Sequence, residues 1–216
     1  MSSPEFGSPG AMRRRWRRTC VTLILLGAAG CGGAATAPST DTATVHAEVS
    51  DARGDALPDP SVPVSPDLGH GTIDVSAGNI TLTIQFAPGT FDRATTRIAI
   101  RLDTDRNPST GISTADGLGI EYVVDMWAAT NQATILKAVP TAACTATDPC
   151  YLPMGAAPLT LLTDTMAVTV PLSLVESADG RLSYRVLAYA STPGGAAQTI
   201  IADVMPDTAA LPGHVP

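Results

Sequence analysis

The chain has 216 residues, 44% of them hydrophobic and only 4% aromatic, with a formal net charge of −7. Eight Lys and Arg against nineteen Asp and Glu follow residue 30, so the balance past that point is −11. Phosphate binding needs a basic footprint, so nucleic acid is excluded as a partner class. The same balance favours solubility and cation binding. The apolar content is enough for one domain with a real core.

In chain order, residues 1–11 (M-S-S-P-E-F-G-S-P-G-A) fit no targeting pattern and read as non-native or as a mis-placed start. Residues 12–30 read as a signal peptide. Five arginines precede an apolar run from Val21 to Leu26, and small residues follow. That run is too short to span a bilayer. Ala28-Ala29-Gly30-Cys31 resembles the lipobox of bacterial lipoproteins. The resemblance implies that Cys31 is lipidated and becomes the first residue of an exported, membrane-anchored chain in the cell envelope. The domain would then face the periplasm or the cell exterior. Residues 31–42 are small, polar and proline-punctuated, and read as a flexible tether.

The domain is expected over 43–205. A weakly alternating stretch, 43–49, predicts an edge strand, and 51–60 predicts a loop. A short strand follows at 72–75. Residues 79–86, N-I-T-L-T-I-Q-F, alternate cleanly, with Ile80, Leu82, Ile84 and Phe86 on one face. Residues 96–103 alternate as well, with Ile98, Ile100 and Leu102 on the apolar face. In 117–126, the residues Ile120, Tyr122, Val124 and Met126 are expected to share a face. Further strands are expected at 133–139, 159–163, 166–174, 182–190 and 199–204. Pro171 suggests an edge or bulge, and Asp179-Gly180 predicts a hairpin joining the strands on either side. Residues 206–216 read as a loose tail. No stretch carries a sustained helical period. The fold class that follows is all-β, a single-domain antiparallel sandwich of the jelly-roll or immunoglobulin-like kind.

Two features carry candidate chemistry. Cys144 and Cys150 are the cysteines left in the exported domain. In an oxidising compartment they are expected to form one disulfide, a loop staple. The strand at 96–103 runs into D-x-D-x-N, with Asp103, Asp105 and Asn107 presenting oxygens at alternate residues. That is the start of a Ca²⁺ loop, though not an EF-hand, because Pro108 and Thr114 stand where Gly and Glu would be needed. In the metal reading the Ser109 carbonyl, Asp116 or Glu121 completes the site. Glu121 reaches it if 117–126 pairs antiparallel with 96–103. The same residues also make an ordinary turn in which Asp and Asn side chains bond the backbone. Asp51 and Asp55 are a second, weaker metal candidate, where a plain loop is the simpler reading. His46, His70 and His214 are scattered, and no nucleophile elbow, zinc-helix motif or phosphate loop occurs.

The order D-x-x-G-D-A (Asp51 to Ala56), Asp74-Val75, N-I-T-L-T-I-Q-F-A, R-L-D-T-D-R-N-P-S-T-G and G-I-E-Y-V-V-D is similar to the family-nine carbohydrate-binding-module-like, or DOMON-like, sandwiches of bacterial exported proteins. The resemblance spans about residues 48–204. It implies a calcium-stabilised β-sandwich, of a kind often appended to enzymes, that binds sugars; the lack of catalytic motifs makes the expected role non-catalytic. Trp127 and Tyr151, expected in loops, are the aromatics such a site would use. The alternative is a structural or adhesive envelope module that binds another protein.

Overall fold

The alternating segments form strands for the reason alternation suggests: one face must leave water. The computed structural model describes residues 44–60, 62–139, 150–176, 180–191, 200–207 and 212–216. A boundary after Thr40 sets off Asp41–Pro216 as one unit. Its described residues form thirteen strands: β1 (Val45–Ser50), β2 (Leu68–Ser76), β3 (Asn79–Phe86), β4 (Thr96–Asp103), β5 (Ile112–Ser113), β6 (Gly119–Ile120), β7 (Tyr122–Trp127), β8 (Gln132–Ala138), β9 (Tyr151–Leu161), β10 (Thr165–Pro171), β11 (Leu182–Ala190), β12 (Ile200–Met205) and β13 (Gly213–Val215). All described pairings are antiparallel. No helix among the described residues is long and apolar enough to cross a membrane.

The strand order is β1-β2-β3-β10-β9-β8-β7-β4-β11-β12, with β13 added to β11. Ile80, Leu82, Ile84 and Phe86 of β3 meet Ile98, Ile100 and Leu102 of β4 inside one core, with Leu182, Tyr184, Val186 and Ala188 of β11. Each buried Ile or Leu contributes about 1.5–3 kcal/mol of hydrophobic stabilisation. The sheet turns its corner at β9, which pairs with β8 over Tyr151–Pro158 and with β10 over Leu159–Leu161. Pro153 and Pro158 have no amide to give a ladder. A register shift lies beside Pro153, and the ladder changes partner just after Pro158. The two ends of the path are stitched together, with the Leu57 amide donating to the Ala202 carbonyl at 2.7 Å and the Leu68 amide to Asp203 Oδ2 at 2.7 Å. The result is an all-β sandwich that closes almost into a barrel.

Several expectations need correction. Trp127 and Tyr151 lie in strands, not loops. Ile120 does not share the face of Tyr122, Val124 and Met126. The chain bends at Glu121, so Ile120 turns outward and packs with Ile112, Leu118, Ala99 and Val123 in a second, smaller cluster on the outer face of the sheet. Pro171 is the last residue of β10, and it does sit at a local edge: β9 flanks β10 only over Met166–Val168, while Pro171 pairs with Asn79 of β3 alone among the described pairings. β10 and β11 do not form a hairpin, because β11 pairs with β4, β12 and β13; Asp179 itself lies outside the described residues. The C-terminal stretch is not loose throughout, since Gly213–Val215 returns to β11 and Val215 is fully buried.

Residues 104–118 fold back over the outer face of β4 and β7 and are held there by a close approach at Gly119. A Cβ at that position would strike the Asn107 carbonyl and sit 2.7 Å from the Thr110 carbonyl. Gly119→Ala should therefore lift the loop and cost about 1–3 kcal/mol in chemical denaturation. Gly69→Ala, whose methyl meets nothing closer than 3.5 Å, should cost far less.

Candidate cation site

The pairing of β4 with β7 sets Leu102 opposite Tyr122, so Asp103 and Glu121 arrive at the same end of two neighbouring strands. Asp103, Asp105 and Glu121 each bring a carboxylate oxygen within 4.8 Å of the others. Asp103 is 2% exposed. Burial raises its pKa, while the Gly119 and Asn107 amides that it accepts act the other way. Burial also raises the pKa of Glu121, opposed by hydrogen bonds from the Thr110 hydroxyl and the Thr104 amide. Taking carboxylates out of water disfavours their charged form, and nearby like charges add to the effect.

The centre of the site is the Thr110 hydroxyl. It lies 2.9 and 3.0 Å from the two oxygens of Asp105, 2.8 Å from the Asn107 carbonyl and 2.7 Å from Glu121 Oε1. A hydroxyl has one proton, so it cannot satisfy four acceptors together. The remaining oxygens crowd one another with their charge only partly countered. That donor set is all oxygen, the chemistry of a hard cation such as Ca²⁺.

The other expected ligands divide. Asn107 Oδ1 accepts the Ser109 amide at 3.1 Å, and the Asn107 amide itself donates to Asp103 and Asp105. Asn107 and Ser109 thus shape the turn, and the Asn107 carbonyl faces Thr110 beside the carboxylates. Asp116 is drawn elsewhere. Its Oδ2 lies 2.7 Å from Arg185 Nε, and its Oδ1 accepts the Thr114 hydroxyl. Arg185 is only 2% exposed, and its Nη1 donates to the carbonyls of Pro206 and Asp207. This pairing was missed because Asp116 is near the cation loop in sequence and Arg185 is not.

Trp127 and Tyr151 do not meet. Trp127 pairs with Gln132 at one end of β8 and Tyr151 with Ala138 at the other. Six steps along the strand, from Gln132 to Ala138, separate them by about 20 Å. Trp127 is 37% exposed, while Tyr151 packs against the outer cluster. Asp51 and Asp55 do come together, and Asp207 joins them. Cys31 and Cys144 lie outside the described residues, so the lipid site and one end of the expected staple do too.

No protein-family model and no curated protein matches this chain. Asp116 provides a direct check on which acids belong to the site. Asp116→Ala should strip a buried guanidinium of its carboxylate and cost about 3 kcal/mol. Any response of the melting temperature to calcium should persist in that variant; its loss would place Asp116 among the ligands.

Proposed function

We propose that this chain is an exported, lipid-anchored β-sandwich that works by binding rather than catalysis and holds a structural Ca²⁺ in the 103–121 loop. The observation that carries the metal is the Thr110 hydroxyl, one proton among four oxygen acceptors. A divalent ion would replace that shortfall with ligation by Asp103, Asp105, Glu121 and the Asn107 carbonyl. It would also fasten the 104–118 excursion to the end of β4. The ion's role is to hold the scaffold, while the surface supplies the recognition. A disulfide between Cys144 and Cys150 belongs to the same exported setting.

Two occupants of that surface remain in view. The likeness to carbohydrate-binding modules favours a glycan. A second reading, an envelope protein as partner, draws support from β9 and its exit. Residues 151–162 contain no charged side chain, and Leu152 and Leu162 are 54% and 59% exposed. In a chain this acidic, such an uncharged strip suits a protein surface better than a sugar, which would stack on clustered aromatics.

Extracellular modules bind calcium at about 10⁻⁴–10⁻³ M. At the tighter end of that range, 10 mM calcium is about a hundredfold excess, and one ion then adds about 2.7 kcal/mol. Chelation should therefore lower the melting temperature by several degrees, and millimolar calcium should restore it. Asp105→Asn combined with Glu121→Gln should shrink that response. A response of equal size in the variant and the wild type would remove this loop from consideration.

The anchor has its own test. Cys31→Ser should leave the chain unprocessed or release it from membranes on fractionation. Mass spectrometry of envelope-purified wild-type protein with no acyl mass on Cys31 would refute lipidation.

A further inference from the structure

A second group of acids gathers where the two ends of the sheet meet. Asp51 and Asp55 come from the loop after β1, Asp67 directly precedes β2, and Asp203 and Asp207 lie in and just after β12. Asp55, Asp67 and Asp203 bring one oxygen each within 4.8 Å of one another, and so do Asp51, Asp55 and Asp207. Asp55 is common to both sets, so five carboxylates converge on one region. Among the described residues, no ion pair offsets any of them.

Two of the five are buried. Asp67 is 6% exposed and Asp203 is 7% exposed. Their backbone partners account for only part of their capacity. Asp67 Oδ2 accepts the Gly54 amide at 2.7 Å, whereas Asp67 Oδ1 is buried with no hydrogen bond. Asp203 Oδ2 accepts the Leu68 amide, and its Oδ1 accepts the Val204 amide at 2.8 Å. Asp51 Oδ2 is likewise buried without a partner. A buried carboxylate oxygen with no donor is costly and rare, and it calls for an ion or a proton. Beside the group is a cavity of about 170 Å³ lined by Asp55, Asp203 and Asp207, with Leu57, Ile201, Ala202 and Val204. The space admits a cation with part of its water shell.

We propose that this seam is a second divalent-cation site, filled by Ca²⁺ bound through Asp55, Asp67 and Asp203 with Asp51 and Asp207 closing over it. Oxygen-only donors, several carboxylates and ligands from separate loops fit calcium better than a metal that prefers nitrogen or sulfur. The ion would do in the seam what backbone pairing does elsewhere, joining β12 to the start of β2. This site shares no residue with the 103–121 loop, so either can fail without the other.

The test is calcium stoichiometry and affinity, measured by calorimetry on the full-length protein carrying Asp105→Asn and Glu121→Gln. That background removes the loop site. It should still bind one Ca²⁺, and adding Asp55→Asn, at an exposed position that leaves the buried carboxylates in place, should weaken binding at least tenfold. Asp207→Asn, also exposed, should weaken it in the same direction. A background protein that binds no calcium, or one whose binding neither substitution alters, overturns the proposal. Circular dichroism of each variant confirms that the sheet is intact.

Discussion

The antiparallel pairing of β4 with β7 is the constraint on which the site depends. It fixes Ile98, Ile100 and Leu102 inside the core opposite Met126, Val124 and Tyr122. Because the side-chain period is two, the same register puts Asp103 on the other face, at the strand's end. The chain must then return from Asp103 to Tyr122, and the excursion brings Glu121 back beside the acid it left. A slip of one residue would turn Arg101 and Asp103 into the apolar core and turn the isoleucines out of it. Hydrophobic burial therefore holds the carboxylates together, and no attraction between the acids themselves is required.

This division of labour also explains the crowding. The core stabilises the register by far more than the carboxylates' mutual repulsion costs, so the acids tolerate one another. Coulomb repulsion at contact is about 1 kcal/mol in a water-like dielectric and larger where water is excluded. Amide donors from Asn107, Gly119 and Thr104 relieve part of it. The seam follows the same logic on a larger scale. Closing the sheet brings β12 against β2, and loops that carry aspartates for separate reasons are brought to one place.

Much of the fold was legible because β3, β4 and the inner half of β11 obey a strict period of two. The reach of Glu121 to the cation loop also followed from that period, once antiparallel pairing was assumed. What escaped did so for identifiable reasons. β9 contains Pro153, Gly155 and Pro158, which read as loop, yet in the structure they sit where the sheet turns its corner. Glu121 breaks the alternation with a bend, which turned Ile120 outward against its expected face. β13 is three residues long and carries no pattern to read. The Asp116–Arg185 pair and the seam join residues far apart in sequence, where spacing says nothing. The glycan reading leaned on two aromatics taken as loop residues, and strand pairing holds them at opposite ends of β8.

If the oxygens around Thr110 belong to a cation, that ion ties the 104–118 excursion to the end of β4. A high-resolution crystal structure of the protein grown in millimolar calcium would decide this most directly. The expected result is an anomalous peak about 2.3–2.6 Å from oxygens of Asp103, Asp105, Glu121 and the Asn107 carbonyl, with the Thr110 hydroxyl displaced or itself a ligand. A loop with no such peak, in which Thr110 donates to one carboxylate and ordered water meets the others, would contradict it.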